Sequence, residues 1–285
     1  MISVSIIGAG KVGITLARKL ENAGDYEILV HSENSRSNAL ESGLSVINLT
    51  NWDKAEFDGK VIIICVKDSD IGTVVNQLIE KYSDKLNGKI VLHTSGTLTK
   101  ESLINLKEKG ARIAAAHPFQ TFYFSEESVL NNVAWGIDSE EHDFDEISEF
   151  IEILSGKAIK LTAESIKKKT LYHISAVAAS NFMALTIDLA KEIAKEASID
   201  AKVFLPQILE TTLQNNIKQI SSDIPAITGP VVRGEVTTIK KHLDALGESM
   251  NSVIYKNMCE SLALMALEKG LLSGEKFEDI MEILD

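Results

Sequence analysis

Val4-Ser5-Ile6-Ile7-Gly8-Ala9-Gly10-Lys11-Val12-Gly13 is the stretch on which the fold turns. Val4, Ile6 and Ile7 make a short β-rich run. It enters a G-x-G-x-x-G turn, and Val12, Leu16 and Leu20 then repeat at helical spacing up to Gly24. Glycine pairs are common in turns, so the pattern alone is weak. A strand before it and a helix after it are what give it meaning. Each glycine has a separate task. Gly8 makes the tight turn, Gly10 lets a pyrophosphate approach the backbone, and Gly13 lets the helix pack closely on the strand. An anion then meets the free N–H groups and positive dipole end of the helix. Gly8, Ala9, Gly10, Lys11, Val12 and Gly13 are therefore expected to cradle a dinucleotide, NADP or NAD.

Outward from this motif, strand-like runs recur at Ser3–Ile7, Tyr26–Val30, Leu44–Leu49, Val61–Val66, Lys89–His93 and Arg112–Ala116, with two more at Val133–Ile137 and Ala158–Leu161. Helical patterns at Val12–Ala23, Asp70–Leu86, Lys100–Lys109 and Phe144–Leu154 lie between them. Continuous apolar runs alternating with helices indicate an α/β domain with a doubly wound parallel sheet of Rossmann type. After residue 162 the strands stop. Ala163 to Ser198 contains neither glycine nor proline and predicts one long helix. Further helices are expected at Ala201–Gln219, Thr237–Leu246, Ser249–Lys269 and Glu275–Leu284. The predicted organisation is a dinucleotide-binding domain over 1–162 and an all-helical substrate and dimerisation domain over 163–285. A long helix with small residues along Ala176-Val177-Ala178-Ala179-Ser180 is too apolar to stand alone, so a homodimer is expected.

Composition narrows the function. A net charge of −12 over 285 residues speaks against general affinity for nucleic acid or anionic membrane, which needs cations to replace phosphate counterions. The most apolar later stretch, Ile174 to Leu189, carries Ser175, Ser180, Asn181 and Asp188 and is shorter than the ~20 residues of a membrane span. No signal-peptide pattern opens the chain. Cys65 and Cys259 form neither a disulfide framework nor a metal spacing, and H-E-x-x-H is absent. No metal is expected, and a reduced, cytoplasmic setting is.

Choice between the two dinucleotides depends on His31-Ser32-Glu33-Asn34-Ser35-Arg36, after the second strand. Glu33, 20 residues beyond Gly13, can hold a ribose diol and repel a 2′-phosphate. Ser32, Asn34, Ser35 and Arg36 can instead cradle that phosphate, with Arg36 supplying a bidentate contact.

The opening motif resembles the NADP oxidoreductases related to deazaflavin-dependent reductases, pyrroline-carboxylate reductase and the β-hydroxyacid dehydrogenases. Later stretches resemble an uncharacterised bacterial family, a Rossmann-like domain joined to a helical C-terminal domain of unknown function. They are His93-Thr94-Ser95-Gly96, His117-Pro118-Phe119-Gln120-Thr121-Phe122, Tyr172-His173 through Ser180-Asn181, Thr228-Gly229-Pro230-Val231-Val232-Arg233-Gly234 and Lys241-His242-Leu243. The resemblance covers nearly the whole chain and implies an NADP-linked reductase. Relatives carry a Ser-Arg pair after the second strand, where this chain has Ser32-Glu33. The resemblance also implies that Val66 and Lys67, beside Asp68, and His93-Thr94-Ser95 lie along the cofactor. For Asp68 and Asp70 the alternative is capping of the next helix. The β-hydroxyacid dehydrogenases place a catalytic lysine four residues before an asparagine. If Asn181 is that asparagine, Val177 stands where the lysine belongs.

Hydride addition to a carbonyl or imine leaves negative charge that an acid must quench, and histidine does this near neutral pH. His173, Val177 and Asn181 share a helix face by spacing. His173 is the expected proton donor, Asn181 a substrate-orienting group, and His117 the next candidate. Each histidine, His242 included, can instead be a satisfied structural group. Arg233 sits in a glycine- and proline-fixed loop suited to binding an acidic group, with an ion pair to Glu235 or Asp244 as its alternative. Lys167-Lys168-Lys169 reads as a solvated helix start, and Asn215-Asn216 as polar helix positions or substrate contacts. The expected activity is reduction of a small, acidic carbonyl or imine. The rival is a nucleotide-binding sensor or scaffold that transfers no hydride.

Overall fold

In the computed structural model the described residues are 2–24, 26–32, 46–48 and 59–285. They form two compact units, residues 1–180 and 181–285. The first unit is built on an eight-stranded sheet of order β3-β2-β1-β4-β5-β6-β7-β8. Its strands are β1 (Ile2–Ile7), β2 (Tyr26–Ser32), β3 (Val46–Asn48), β4 (Val61–Ile64), β5 (Ile90–His93), β6 (Arg112–Pro118), β7 (Ala134–Ser139) and β8 (Lys157–Lys160). Each coincides with a strand-like run of the sequence.

Both faces of the sheet are covered, so both must be apolar. Val61 and Ile63 pack on one face with α1 (Lys11–Ala23) and α3 (Phe144–Ile153). Ile62 and Ile64 pack on the other with α2 (Asp68–Tyr82) and the helical turns from Lys100 to Lys107. Burial of the four consecutive residues Val61–Ile64 is why β4 shows no polar alternation. In one respect the sheet departs from the expected parallel arrangement. β7 runs antiparallel to β6, with β8 parallel to β7. Residues 119–133 hold only a short 3-10 turn (Glu127–Leu130), with no crossover helix to carry the chain back for parallel entry.

The expected single helix over Ala163–Ser198 is divided. α4 (Ala163–Lys167) ends at Lys168, and α5 (Lys169–Val177) begins there. A π turn at Ala178–Phe182 leads into α6 (Met183–Glu196). The Ser180 hydroxyl donates to the Ala176 carbonyl (2.8 Å), a side-chain bond that competes with the helical ladder. Lys169–Glu196 is nevertheless a helical run of 28 residues, long and apolar enough by length and composition to cross a membrane, with 6% of its most apolar window buried.

The second unit also contains α7 (Ala201–Lys218), α8 (Val236–Leu246), α9 (Met250–Glu268) and α10 (Gly274–Leu284). Its core joins Val231, Ile239, Cys259, Ala263, Ala266, Leu272, Ile280 and Leu284.

Candidate functional site

The three glycines of the turn have three different environments. Gly8 has φ +110°, and a Cβ there would stand 2.6 Å from the Cys65 carbonyl oxygen, so both conformation and space demand glycine. A Cβ on Gly13 would overlap the Gly8 carbonyl oxygen, because the first turn of α1 lies directly on the loop. Gly10 differs from both. Its φ of −76° suits any residue, and a Cβ would meet nothing within 4 Å. Gly10 is the N-cap of α1, and no side chain caps the helix. Among the described residues nothing caps the helix N-terminus or stands within 4 Å of a side chain placed at Gly10. That arrangement fits a dinucleotide pyrophosphate.

Around this edge, the Gly8 amide donates to the His31 carbonyl (2.7 Å) at the end of β2. Ser32 closes that strand, while Glu33, Asn34, Ser35 and Arg36 lie outside the described residues. Val66 packs into the core on the α2 side, and Lys67 is exposed at the start of α2. Asp68 does not cap that helix. Its carboxylate accepts from the Thr97 hydroxyl (2.6 Å), in the loop after β5.

That loop is fixed by its own side chains. The Ser95 hydroxyl accepts from the amides of Thr97 (3.2 Å) and Leu98 (3.0 Å). His93 accepts at Nδ1 from the Ser95 amide (3.2 Å), which leaves Nε2 to donate to the Thr99 carbonyl (3.0 Å). Burial pushes the His93 imidazole down to about 4, so both its nitrogens serve the loop in the neutral form. Thr94 is half-buried beside Cys65, whose thiol burial pushes up to about 12.

A correction falls on the lysine run. Lys169 is 2% exposed, and its ammonium donates to the carbonyls of Ser95 (3.1 Å) and Leu98. Burial lowers it to about 8, against the opposing pull of Asp138 and Asp68. Hence the chain does have a lysine at the carboxyl end of the sheet, two helical turns before Val177. His173 is four residues further along the same face.

His117, at the end of β6, lies opposite Gly136 of β7 and is 9% exposed. Its Nδ1 is 2.6 Å from the Tyr172 hydroxyl. The His173 ring lies edge-on to it, with centroids 5.6 Å apart. Between the two imidazoles sits Gly96, where a Cβ would come 2.9 Å from His117 Nε2 and collide with His173 Nδ1. His173 Nδ1 is buried without a hydrogen-bond partner. Burial, reinforced by His173 and Lys169, pushes His117 down to about 4. The structure thus gathers His117 and His173, which the sequence singled out, with Lys169, Tyr172 and Gly96, which it did not assign. The Tyr172-His173 pair and the four-residue step from Lys169 were the available signals.

Asn181 and Arg233 belong to the second unit. Asn181 lies in the π turn, which closes i to i+5, so it is not one α-helical turn beyond Val177. Arg233 presents its fork to Glu235 (2.6 and 3.2 Å) and donates to Thr228 (3.3 Å), the ion pair weighed as its alternative role. His242 Nδ1 lies 2.6 Å from the Tyr255 hydroxyl. Among the described residues no group of His, Cys, Asp and Glu could hold a metal.

Residues 1–118 match a Rossmann-like domain, and residues 133–262 match a domain of unknown function, DUF2520. No curated protein matches the sequence. Among solved structures, protein BF3122 from Bacteroides fragilis, described provisionally as an NADP oxidoreductase, is 22% identical with a TM-score of 0.71 over 92% of this chain and 98% of its own. Protein TM1727 from Thermotoga maritima is 24% identical, with a TM-score of 0.61 over 94% and 99%. An imine reductase from Myxococcus stipitatus in complex with NADP+ is 15% identical, with a TM-score of 0.66 over 99% and 100%. At these identities the likeness establishes the fold. The chain is a Rossmann-like domain joined to the domain of unknown function DUF2520.

Proposed function

We propose that the chain is an NAD(P)-dependent oxidoreductase that reduces a small carbonyl or imine compound, with NADP as its cofactor. One observation carries this reading. An uncapped helix N-terminus with open space at Gly10 lies on the same carboxyl edge of the sheet as the His117, Tyr172, His173 and Lys169 cluster. Ligands of open α/β sheets bind at that edge. The NADP+ complex of the Myxococcus imine reductase, a protein of this fold, supports the same cofactor class. Gly8, Gly10 and Gly13 with the first turn of α1 would hold the pyrophosphate, and Ser95 to Leu98 would border the nicotinamide. When bound, a reduced nicotinamide supplies the hydride. The chain's own part is to hold the acceptor still and provide a proton. His173 is the proposed proton donor, and Lys169 fixes the loop beneath it through two main-chain carbonyls. The test is calorimetry with NADPH and NADH, followed by steady-state cofactor oxidation over carbonyl and imine panels. Failure to bind either cofactor refutes the reading. Binding without turnover of any compound favours the sensor alternative.

We also infer that a second copy of the chain covers the helices of the second unit. Phe182, Ile199, Val203, Ile208, Ile217 and Ile220 are among its side chains left at least half exposed. A stable interface removes about 800 Å² per partner from water, and exposed apolar side chains of this kind are what it covers. Asp188, paired with Lys191 (2.9 Å) on α6, is out of place in lipid but ordinary at the rim of a dimer.

A further inference from the structure

We propose that Tyr172 locks His117 in the tautomer that carries its proton on Nε2, and that this N–H donates a hydrogen bond to the oxygen of a carbonyl substrate. The proposal rests on the reductase reading for its substrate and on the geometry of the first unit for its tautomer.

Tyr172 has one hydroxyl proton and two neighbouring acceptors, His117 Nδ1 at 2.6 Å and the His117 carbonyl at 3.5 Å. The longer contact is at the limit of a hydrogen bond, so the proton goes to Nδ1. Burial pushes the phenol well above its ordinary range, so it keeps that proton to give. An Nδ1 that accepts leaves the ring's proton on Nε2. The opposite arrangement, Nδ1–H to the phenol oxygen, would leave the phenol proton only the poorer acceptor.

Nε2 has no hydrogen-bond partner among the described residues, in contrast to His93, which uses both nitrogens within its loop. It lies against Gly96, on the far side of which His173 brings up its own unpartnered Nδ1. Of these two nitrogens His173 Nδ1 is fully buried, and a buried polar atom left without a partner is costly unless a ligand atom meets it. The groups acting on His117 are His173, Lys169, His93 and, in the opposite sense, Asp68. With burial they keep the ring neutral across the physiological range. A neutral N–H is a fixed donor that does not surrender its proton. It suits an oxygen that gains negative charge, and it offers nothing to the cationic carbon–nitrogen centre of an iminium ion. Proton delivery is left to His173.

The experiment uses the full chain labelled with 15N-histidine. Long-range 1H–15N correlation reads the tautomer of His117 with no cofactor or substrate present, the resonance being assigned with His117→Asn. The expected result is a protonated Nε2 and bare Nδ1, unchanged from pH 5.5 to 8. Tyr172→Phe should produce a mixture of tautomers. A protonated Nδ1 in the native protein, or a ring indifferent to Tyr172→Phe, overturns the lock and leaves the reductase reading untouched. The second arm measures NADPH oxidation with 2-oxo acids, aldehydes and cyclic imines. His117→Asn is expected to lower kcat on a carbonyl about 10²–10³-fold, the usual loss for one oxyanion donor, with NADPH affinity unchanged. Turnover of imines alone, or full activity in His117→Asn, overturns the donor role. Absence of NADPH binding in the native chain overturns the reductase reading and this role with it.

Discussion

Gly10→Val separates cofactor binding from folding more cleanly than any other change in the cradle. A side chain at Gly10 meets nothing within 4 Å, and its φ of −76° is ordinary for an L residue. Valine is a poorer N-cap than glycine, but it also restricts the unfolded chain. These opposing effects hold the stability change within about 1 kcal/mol. The branched side chain would, however, stand where the pyrophosphate must approach the backbone. For the parent, NADPH at 100 times its Kd adds about 2.7 kcal/mol of stability. At roughly 2–4 °C per kcal/mol for a chain of this size, Tm should rise by about 5–10 °C. If valine weakens binding 100-fold, the same concentration adds about 0.4 kcal/mol, a rise of about 1 °C. Differential scanning fluorimetry with and without NADPH reads both quantities in one experiment. Gly13→Ala is the control, since its methyl overlaps the Gly8 carbonyl and the variant should lose Tm with no ligand present. A Gly10→Val protein that keeps the full ligand-induced rise would refute the placement of the dinucleotide.

Lys169→Met should leave the Ser95 and Leu98 carbonyls without their donor and cost about 1–3 kcal/mol in urea unfolding, while an unchanged midpoint would show the lysine to be incidental. Acid should destabilise the first unit through His31, His93 and His117, each pushed down to about 4 by burial. The unfolded chain binds these protons near pH 6.5 and the folded chain only near 4, so stability falls as pH drops through that window. Each ring contributes up to about 3 kcal/mol by pH 4, and a flat denaturation midpoint between pH 7 and 4.5 would contradict it. In light scattering at micromolar concentration the chain should have the mass of a dimer. Ile220→Glu should shift it towards monomer; a monomeric parent, or one that sediments with lipid vesicles, rules out the second copy as the covering surface.

Much of this was legible in the sequence because the signals were local. Eight strand-like runs correspond to eight strands, and the clearest of them, Val61–Ile64, shows no polar alternation because it is buried on both faces. The three glycines could be assigned separate tasks because each answers to a different constraint. Lys169 was not legible. Three consecutive lysines look alike until the phase of the helix is known, and the break at Lys168 sets that phase. The π turn was hidden for a similar reason: no residue type announces it, and it removes Asn181 from the face that α-helical spacing assigns. The reversal of β7 followed from what the 119–133 segment lacks, a crossover helix, and from no single residue. Arg233, expected in a loop, ends the short helical turn Pro230–Arg233, and which carboxylate would meet it was a question of geometry.

The reversal of β7 also decides how robustly the histidine–tyrosine contact is inherited by any variant of this chain. Because the strand runs antiparallel, its amino-terminal half lies beside the end of β6, and Gly136 falls opposite His117. A Cβ there would stand 2.8 Å from the Tyr172 hydroxyl, so the phenol rests in a notch cut by the missing side chain. The notch is encoded as a register and not as a loop. Insertions or deletions within 119–133 leave it intact as long as the ladder holds. A slip of one residue would bring Trp135 or Ile137 opposite His117 and close the notch. Sequence drift in the exposed part of that connection should therefore be silent, though not at Phe119, whose ring packs on Tyr172 with centroids 4.0 Å apart, while the pairing of two strands remote from the glycine loop governs where one proton resides.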